Sequence, residues 1–132
     1  MHNPIIAILA AGLAGWLFGA VWYTTLGKAW QRAQGLDPEG CKGKPMPKAP
    51  LVVAFMAAVV ISEVLYQLLT NLGVTGTVPS AIAGLTIGVG FLLTSTAVNN
   101  LFQQKSLMLT LIDGAHWVLA VTVEAVVLSL LA

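Results

Sequence analysis

Four long apolar stretches, separated by short polar segments, account for most of the 132 residues of this chain. They run from residues 4 to 26, 51 to 72, 78 to 98 and 107 to 131. The first holds 23 residues without a charged side chain. As a helix it would be about 34 Å long, enough to cross a hydrocarbon core about 30 Å thick. We therefore predict an all-α integral membrane protein, a four-transmembrane-helix bundle that forms a single domain over residues 1–132.

The polar segments contain residues that end or begin helices. Pro45, Pro47 and Pro50 precede the second apolar stretch, where their fixed φ and missing N–H suit a loop that leads into a helix. Residues 73–76 are glycine-rich and predict a tight turn. The loops are predicted to be short except for 27–50, which begins with a short amphipathic helix at the membrane surface.

Composition and charge narrow the class of protein. With 58% apolar and 8% charged residues, the chain lacks the polar cover of a soluble globule. It is also too short for a separate catalytic domain, so we expect a lipid-embedded protein that is not an enzyme, and no nucleic-acid partner.

All six basic residues lie in the first and third connections: Lys28, Arg32, Lys42, Lys44, Lys48 and Lys105. The positive-inside rule then predicts cytoplasmic loops 27–50 and 99–106 and both termini outside.

Small residues recur every four positions in two of the predicted helices. Gly15 and Gly19 form such a face on the first helix, and Gly84 and Gly88 form one on the third. Close backbone approach at such faces drives helix association in lipid. Either face is able to pack within the bundle or against a second copy. Because thin helices bury little surface alone, we expect a homo-oligomer.

Ionisable and amide side chains within the apolar stretches are the main candidates for function, since polar groups at bilayer depth are costly and usually face the bundle interior. Glu63 and His116 are predicted to lie at similar depths on parallel helices, where they are able to meet. The full set of candidate ligand or proton-pathway residues is Glu63, Tyr66, Gln67, Asn99, Asn100, Asp113, His116 and Glu124.

Three interpretations of this polar stripe remain open. The acids are neutral and hydrogen-bond between helices, giving a structural or interaction protein. Alternatively, acid and imidazole groups at successive depths pass a proton, a cation or a small solute. An intramembrane metal-dependent enzyme would use Asp113, His116 and Glu63, but the chain has no HExxH or Cys/His motif. We predict no cofactor and no metal, and the sequence does not identify a solute.

Two local motifs stand out, one at the end of the first apolar stretch and one in the last. Residues 19–23 read G-A-V-W-Y and residues 26–30 read L-G-K-A-W, while residues 109–116 read L-T-L-I-D-G-A-H. They resemble the DUF1761 family, whose members read G-A-x-W-Y and then G-K-x-W in the first motif. The chain has Ala115 before His116, where the family tends to show a tyrosine. The resemblance implies a four-helix membrane protein of the bacterial inner membrane with no known activity. It draws attention to the matching positions Trp22, Tyr23, Lys28, Trp30, Asp113 and His116.

Overall fold

The computed structural model describes residues 3–44 and 47–132; Pro45 of the proline cluster lies outside these ranges. The described residues form helices and no strands. The helices are α1 Pro4–Thr25, α2 Gly27–Ala33, α3 Lys48–Asn71, α4 Thr77–Phe102 and α5 Leu107–Leu131. By length and apolar composition, α1, α3, α4 and α5 are each able to cross a membrane. The predicted fold class is confirmed.

The helix ends differ from the predicted ones at two places. α3 begins at Lys48, before the predicted start, because Pro50 is tolerated in the first turn of a helix, where its missing N–H has no intrahelical partner. α4 continues through Asn99 and Asn100 to Phe102, so these asparagines are helical and do not mark its exit. A short helix is present as α2 where the sequence predicts one; its position at a membrane surface stays a prediction.

Local capping explains where the helices start and stop. The Asn3 side chain accepts a hydrogen bond from the N–H of Ile5 at the start of α1. The Ser106 hydroxyl oxygen accepts one from the N–H of Leu109 at the start of α5. Between α3 and α4 the chain turns through Gly73 and Gly76, both at positive φ, where a side chain would be strained.

α5 is the central helix, and α4 and α1 are its main neighbours. The small-residue face of α4 packs on it: a Cβ added at Gly84 would lie 2.8 Å from the Cα of Thr122, and one at Gly88 would lie 2.8 Å from the Cα of Val118. Gly88 also begins a π-helical segment, Gly88–Leu93, within α4. This face therefore packs within the bundle, which is the first of the two predicted alternatives; the other was contact with a second copy.

α3 packs mainly on α1. The Ser62 hydroxyl donates a hydrogen bond of 2.8 Å to the carbonyl oxygen of Ile8, and a Cβ at Gly12 would lie 2.9 Å from Cγ2 of Val59. Although only five residues connect them, α3 and α4 touch each other slightly. The short connection makes them antiparallel. However, α3 packs mainly on α1, whereas α4 packs mainly on α5.

The outside of the bundle is covered with large apolar side chains, including Ile6 at 66% exposure and Phe91 at 70%. Such a surface fits a lipid environment and would be unfavourable in water. We call the end with the α1–α3 and α4–α5 connections the basic end, and the opposite end, with the chain termini and the α3–α4 connection, the terminal end.

Candidate functional site

The two sequence motifs, about ninety residues apart, meet at the basic end of the bundle. The Tyr23 hydroxyl on α1 donates a hydrogen bond of 2.6 Å to Oδ1 of Asp113 on α5. One residue earlier on each helix, the indole N–H of Trp22 donates to the carbonyl oxygen of Ile112 at 3.1 Å. We call the residues that meet here the motif cluster: Trp22, Tyr23, Trp30, Asp113 and His116.

Aromatic rings enclose the histidine of this cluster. The ring centroid of His116 lies 4.9 Å from that of Tyr23 and 5.0 Å from that of Trp117, and it stacks on Phe18 at 6.2 Å. The Tyr23 ring in turn contacts Trp30 edge to face at 5.6 Å. Among the described residues, neither His116 Nδ1 nor the indole nitrogen of Trp30 has a hydrogen-bond partner, although both atoms are buried. Two polar atoms are therefore buried without a hydrogen bond, which is unfavourable.

The position of Trp30 depends on how α2 is held. α2 follows α1 after a break at Leu26, whose N–H still bonds back to the carbonyl of Trp22. The Ser106 hydroxyl, at the start of α5, donates a hydrogen bond of 2.7 Å to the carbonyl oxygen of Ala33 at the end of α2. These hydrogen bonds connect α2 to α1 and to the start of α5, and they place Trp30 against Tyr23. Lys28, on the same helix, is exposed.

Further along α5, a buried acid lies against a glycine of α1. Glu124 is 2% exposed, and a Cβ added at Gly15 would collide with its carboxyl group. In the same way a Cβ at Gly19 would lie 2.9 Å from Nε2 of His116. The glycine face of α1 therefore does not meet a second copy; it forms recesses for two polar side chains of α5.

We call this contact the α1–α5 seam, formed by Gly15, Gly19 and Tyr23 on one side and Asp113, His116 and Glu124 on the other. Its residues recur at three-, four- or eight-residue spacing, so each set lies on one helix face. No partner for Oε2 of Glu124 exists among the residues that the structure describes. A buried polar atom without a hydrogen bond is unfavourable, which makes Glu124 the least satisfied acid in the seam.

The predicted candidates of α3 lie apart from the seam. The Gln67 side chain donates a hydrogen bond of 2.6 Å to Oε1 of Glu63, one turn earlier on the same helix. Glu63 is half-buried and Gln67 is exposed, because Ser62 and Leu65 occupy the inward face of α3. In the described residues Glu63 has no hydrogen bond to His116. The proposed meeting of these two groups is therefore not what the structure shows.

The remaining candidates lie at opposite ends of the bundle. Asn100 is buried, and its Nδ2 atom has no partner in the described ranges, whereas Asn99 is exposed. Tyr66 lines an open pocket of about 330 Å³ at the terminal end, between α3, α4 and α5. Leu128, one turn beyond Glu124, lines the same pocket. The pocket therefore approaches the buried acid from the terminal end.

Some of this arrangement was outside the reach of sequence reasoning. Gly15 and Glu124 were each singled out, one for helix packing and one for a proton pathway, but nothing in the sequence pairs them. Phe18, which stacks on His116, carries no local signal beyond its position one turn before Trp22. No group of three or more His, Cys, Asp or Glu side chains able to hold a metal ion occurs in residues 3–44 and 47–132.

The fold and this site define a class: a small protein whose described residues include four helices long and apolar enough to cross a membrane, with a polar seam between the first and the last of these. The particular family follows from comparison. The model of DUF1761, a protein family of unknown function, matches residues 6–129, and the chain belongs to that family. Comparisons with curated proteins and with solved structures give no significant match.

Replacing Tyr23 with phenylalanine should weaken the seam measurably. The substitution removes the donor to Asp113, and single hydrogen bonds between membrane helices average about 0.6 kcal/mol, with a maximum near 1.7 kcal/mol. A double-mutant cycle with Asp113→Ala, which removes the acceptor, followed by unfolding in mixed micelles, should give a coupling energy in that range. Tyr66→Phe is the matched control, and a coupling of zero would show that the Tyr23–Asp113 bond does not stabilise the bundle.

Proposed function

We propose that the protein carries protons across the membrane along the α1–α5 seam, with Asp113, His116 and Glu124 as the groups that bind them. The observation that carries this proposal is Glu124, a carboxyl group 2% exposed whose Oε2 atom has no partner in the described part of the chain. An acid kept at such a cost inside apolar helices is a functional candidate.

The seam offers proton-binding groups at three depths. Asp113 lies nearest the basic end and is hydrogen-bonded to Tyr23 at 2.6 Å. His116 follows one turn later, with its Nδ1 atom free of any described partner. Glu124 lies eight residues further along α5, about 12 Å by helical rise. Carboxyl and imidazole groups each take up and release a proton, so this order suits stepwise transfer.

Proton transfer between His116 and Glu124 requires water, because the two side chains are far apart along α5. A proton does not cross about 12 Å in one step, so water must enter the seam beside Ala120, the small buried residue between them. At the terminal end, the route from Glu124 to solution would open at the pocket lined by Leu128, one turn further along α5. At the basic end, Asp113 is half-buried beneath the surface helix α2. Hydration of the seam is therefore the step that would govern transfer.

A proton suits the seam better than a metal cation. Metal ions in proteins take several oxygen or nitrogen ligands at once, and the described residues contain no such group. The acid and imidazole groups are instead spread along the helix, where each is able to hold one proton at a time. We therefore prefer the proton to a metal cation.

The orientation that we propose follows from charge. The basic residues lie at the basic end of the bundle, so we assign that end to the cytoplasm of a bacterial inner membrane, with both termini outside. Protons would then pass between the terminal-end pocket and the cytoplasmic side of Asp113.

Proton flux into liposomes tests this proposal. Purified protein is reconstituted with an internal pH-sensitive dye, and a potassium diffusion potential is applied with valinomycin. Wild-type protein should acidify or alkalinise the lumen according to the sign of the potential. Glu124→Gln and His116→Gln should lower the rate at least about tenfold, because each removes a group that holds the proton at its depth.

Glu39→Gln is the matched control, since Glu39 lies in the exposed 3-10 turn where it pairs with Lys42 at 3.0 Å. It should retain the wild-type rate. If no variant and no wild-type preparation moves protons while all remain folded, the seam is a structural contact. The second candidate function, a structural or interaction protein, would then be favoured by the hydrogen bonds of Trp22 and Tyr23 that join α1 to α5.

A further inference from the structure

A polar pair lies on the outer surface of α3 at a depth where lipid chains are expected. Gln67 is exposed and Glu63 is half-buried, and they bond to each other within the same helix. Their neighbours Val60 and Val64 are 62% and 49% exposed. Glu63 is eight residues before the end of α3, about 12 Å inside a hydrocarbon core about 30 Å thick. Glu63 therefore lies well inside the core, whereas Gln67, four residues nearer the end of α3, lies close to its boundary.

The bond between Glu63 and Gln67 satisfies only part of each group. A carboxyl group has two oxygens and a carboxamide has two N–H donors and one carbonyl oxygen. The bond uses Oε1 of Glu63 and one donor of Gln67. One carboxyl oxygen, one N–H and one carbonyl oxygen remain, and hydrocarbon offers them no hydrogen bonds. A polar partner covering this face of α3 would satisfy them.

We propose that the covering partner is a second copy of this chain, and that α3 is the interface of a membrane homodimer closed by Glu63 and Gln67 of both copies. A two-fold axis along the bilayer normal brings the same residues of each copy together at the same depth. The pair is self-complementary under that symmetry. The second N–H of Gln67 donates to the free carboxyl oxygen of Glu63 in the other copy, and the reverse bond forms equally.

Contacts within the bundle leave α3 as the helix with a face available for a second copy. The glycine faces of α1 and α4, which are able to bring helices close together, are both occupied by α5. α3 packs on α1 and, less extensively, on α5, and it has only slight contact with α4, so its outward face remains open. The apolar side chains of Val60 and Val64 on that face supply packing around the polar centre. This interface is separate from the α1–α5 seam.

Dimer formation in lipid tests the proposal. Single-molecule photobleaching in liposomes at decreasing protein-to-lipid ratio gives the dissociation constant. Wild-type protein should show two-step bleaching, and the Glu63→Leu/Gln67→Leu double variant should dissociate at least about tenfold more readily, since it removes several hydrogen bonds between helices. Thr86→Leu is the matched control, because it makes the same kind of change on the exposed face of α4. It should leave the dissociation constant unchanged.

Cysteine cross-linking gives a second measurement that leaves the polar pair intact. In a Cys41→Ser background, Val60→Cys and Val64→Cys should cross-link between copies in membranes, and Ile82→Cys on α4 should not. Monomers at every dilution, a dimer that the double variant leaves intact, or cross-links at Ile82→Cys alone would each overturn the proposal. The outcome does not depend on proton flux, so either proposal is able to fail without the other.

Discussion

Replacing Gly84 with alanine should lower the free energy of unfolding by about 1 to 3 kcal/mol, as overpacking of a tight contact does. The added methyl group would lie 2.8 Å from the Cα of Thr122 and 3.1 Å from Cβ of Ala125. Both atoms belong to α5 and one is backbone, so the contact relaxes only if the two helices move apart. Unfolding in mixed micelles, followed by circular dichroism, measures the change.

Gly90→Ala is the control on the same helix. Outside the backbone of its own helix, no atom lies within 4 Å of a Cβ at Gly90, and alanine favours helix more than glycine does. Its stability should therefore be equal to the wild-type value or above it. Equal losses in the two variants would indicate that α4 does not pack on α5 through its glycine face, and the central position assigned to α5 would be wrong.

Replacing Glu124 with methionine should raise the free energy of unfolding by about 1 to 2 kcal/mol, because it removes a buried polar group that lacks a partner. Methionine keeps roughly the length of the side chain and is flexible enough to fill the recess at Gly15. A rise in stability together with loss of proton flux would show that the acid is retained for function at a cost to the fold.

The opposite sign would be equally informative. If Glu124→Met lowers the midpoint of unfolding, the carboxyl group stabilises the bundle and the structural interpretation of the seam gains support. Glu124→Gln separates shape from chemistry, since it keeps the polar group and the volume but cannot release a proton at ordinary pH. It should remain close to wild type in stability while losing flux.

The two motifs are recognisable in the sequence, but their contact with each other is not. Trp22, Tyr23 and Trp30 were recognised near the end of the first helix, and Asp113 and His116 in the last, as separate segments. The structure joins them through the bond from Tyr23 to Asp113. Their contact depends on which faces of α1 and α5 meet, and that rotation is set by Gly15 and Gly19 opposite Glu124 and His116.

Glu63 shows more directly what the sequence does not predict, which is the direction in which a side chain points. Its depth in the second helix was predicted from residue counting, and the polar stripe with Gln67 is present. The expected direction of that stripe was inward, towards His116. The structure instead turns Ser62 and Leu65 inward, because the hydroxyl of Ser62 bonds to Ile8 and small side chains let α3 approach α1. A count of residues gives depth, whereas direction depends on the neighbouring helix.

The amino-acid sequence by itself determined the number of helices, their approximate limits, the end at which the basic residues gather and the polar face of α5. These properties depend on hydrophobicity and on the period of the helix, which act within one segment. The tertiary structure alone decided that α5 is central, that the glycine face of α1 holds two polar side chains of α5, and that Glu63 bonds to Gln67 and not to His116. Helices in lipid associate through shape and a few hydrogen bonds, and apolar patterning alone does not say which faces will fit.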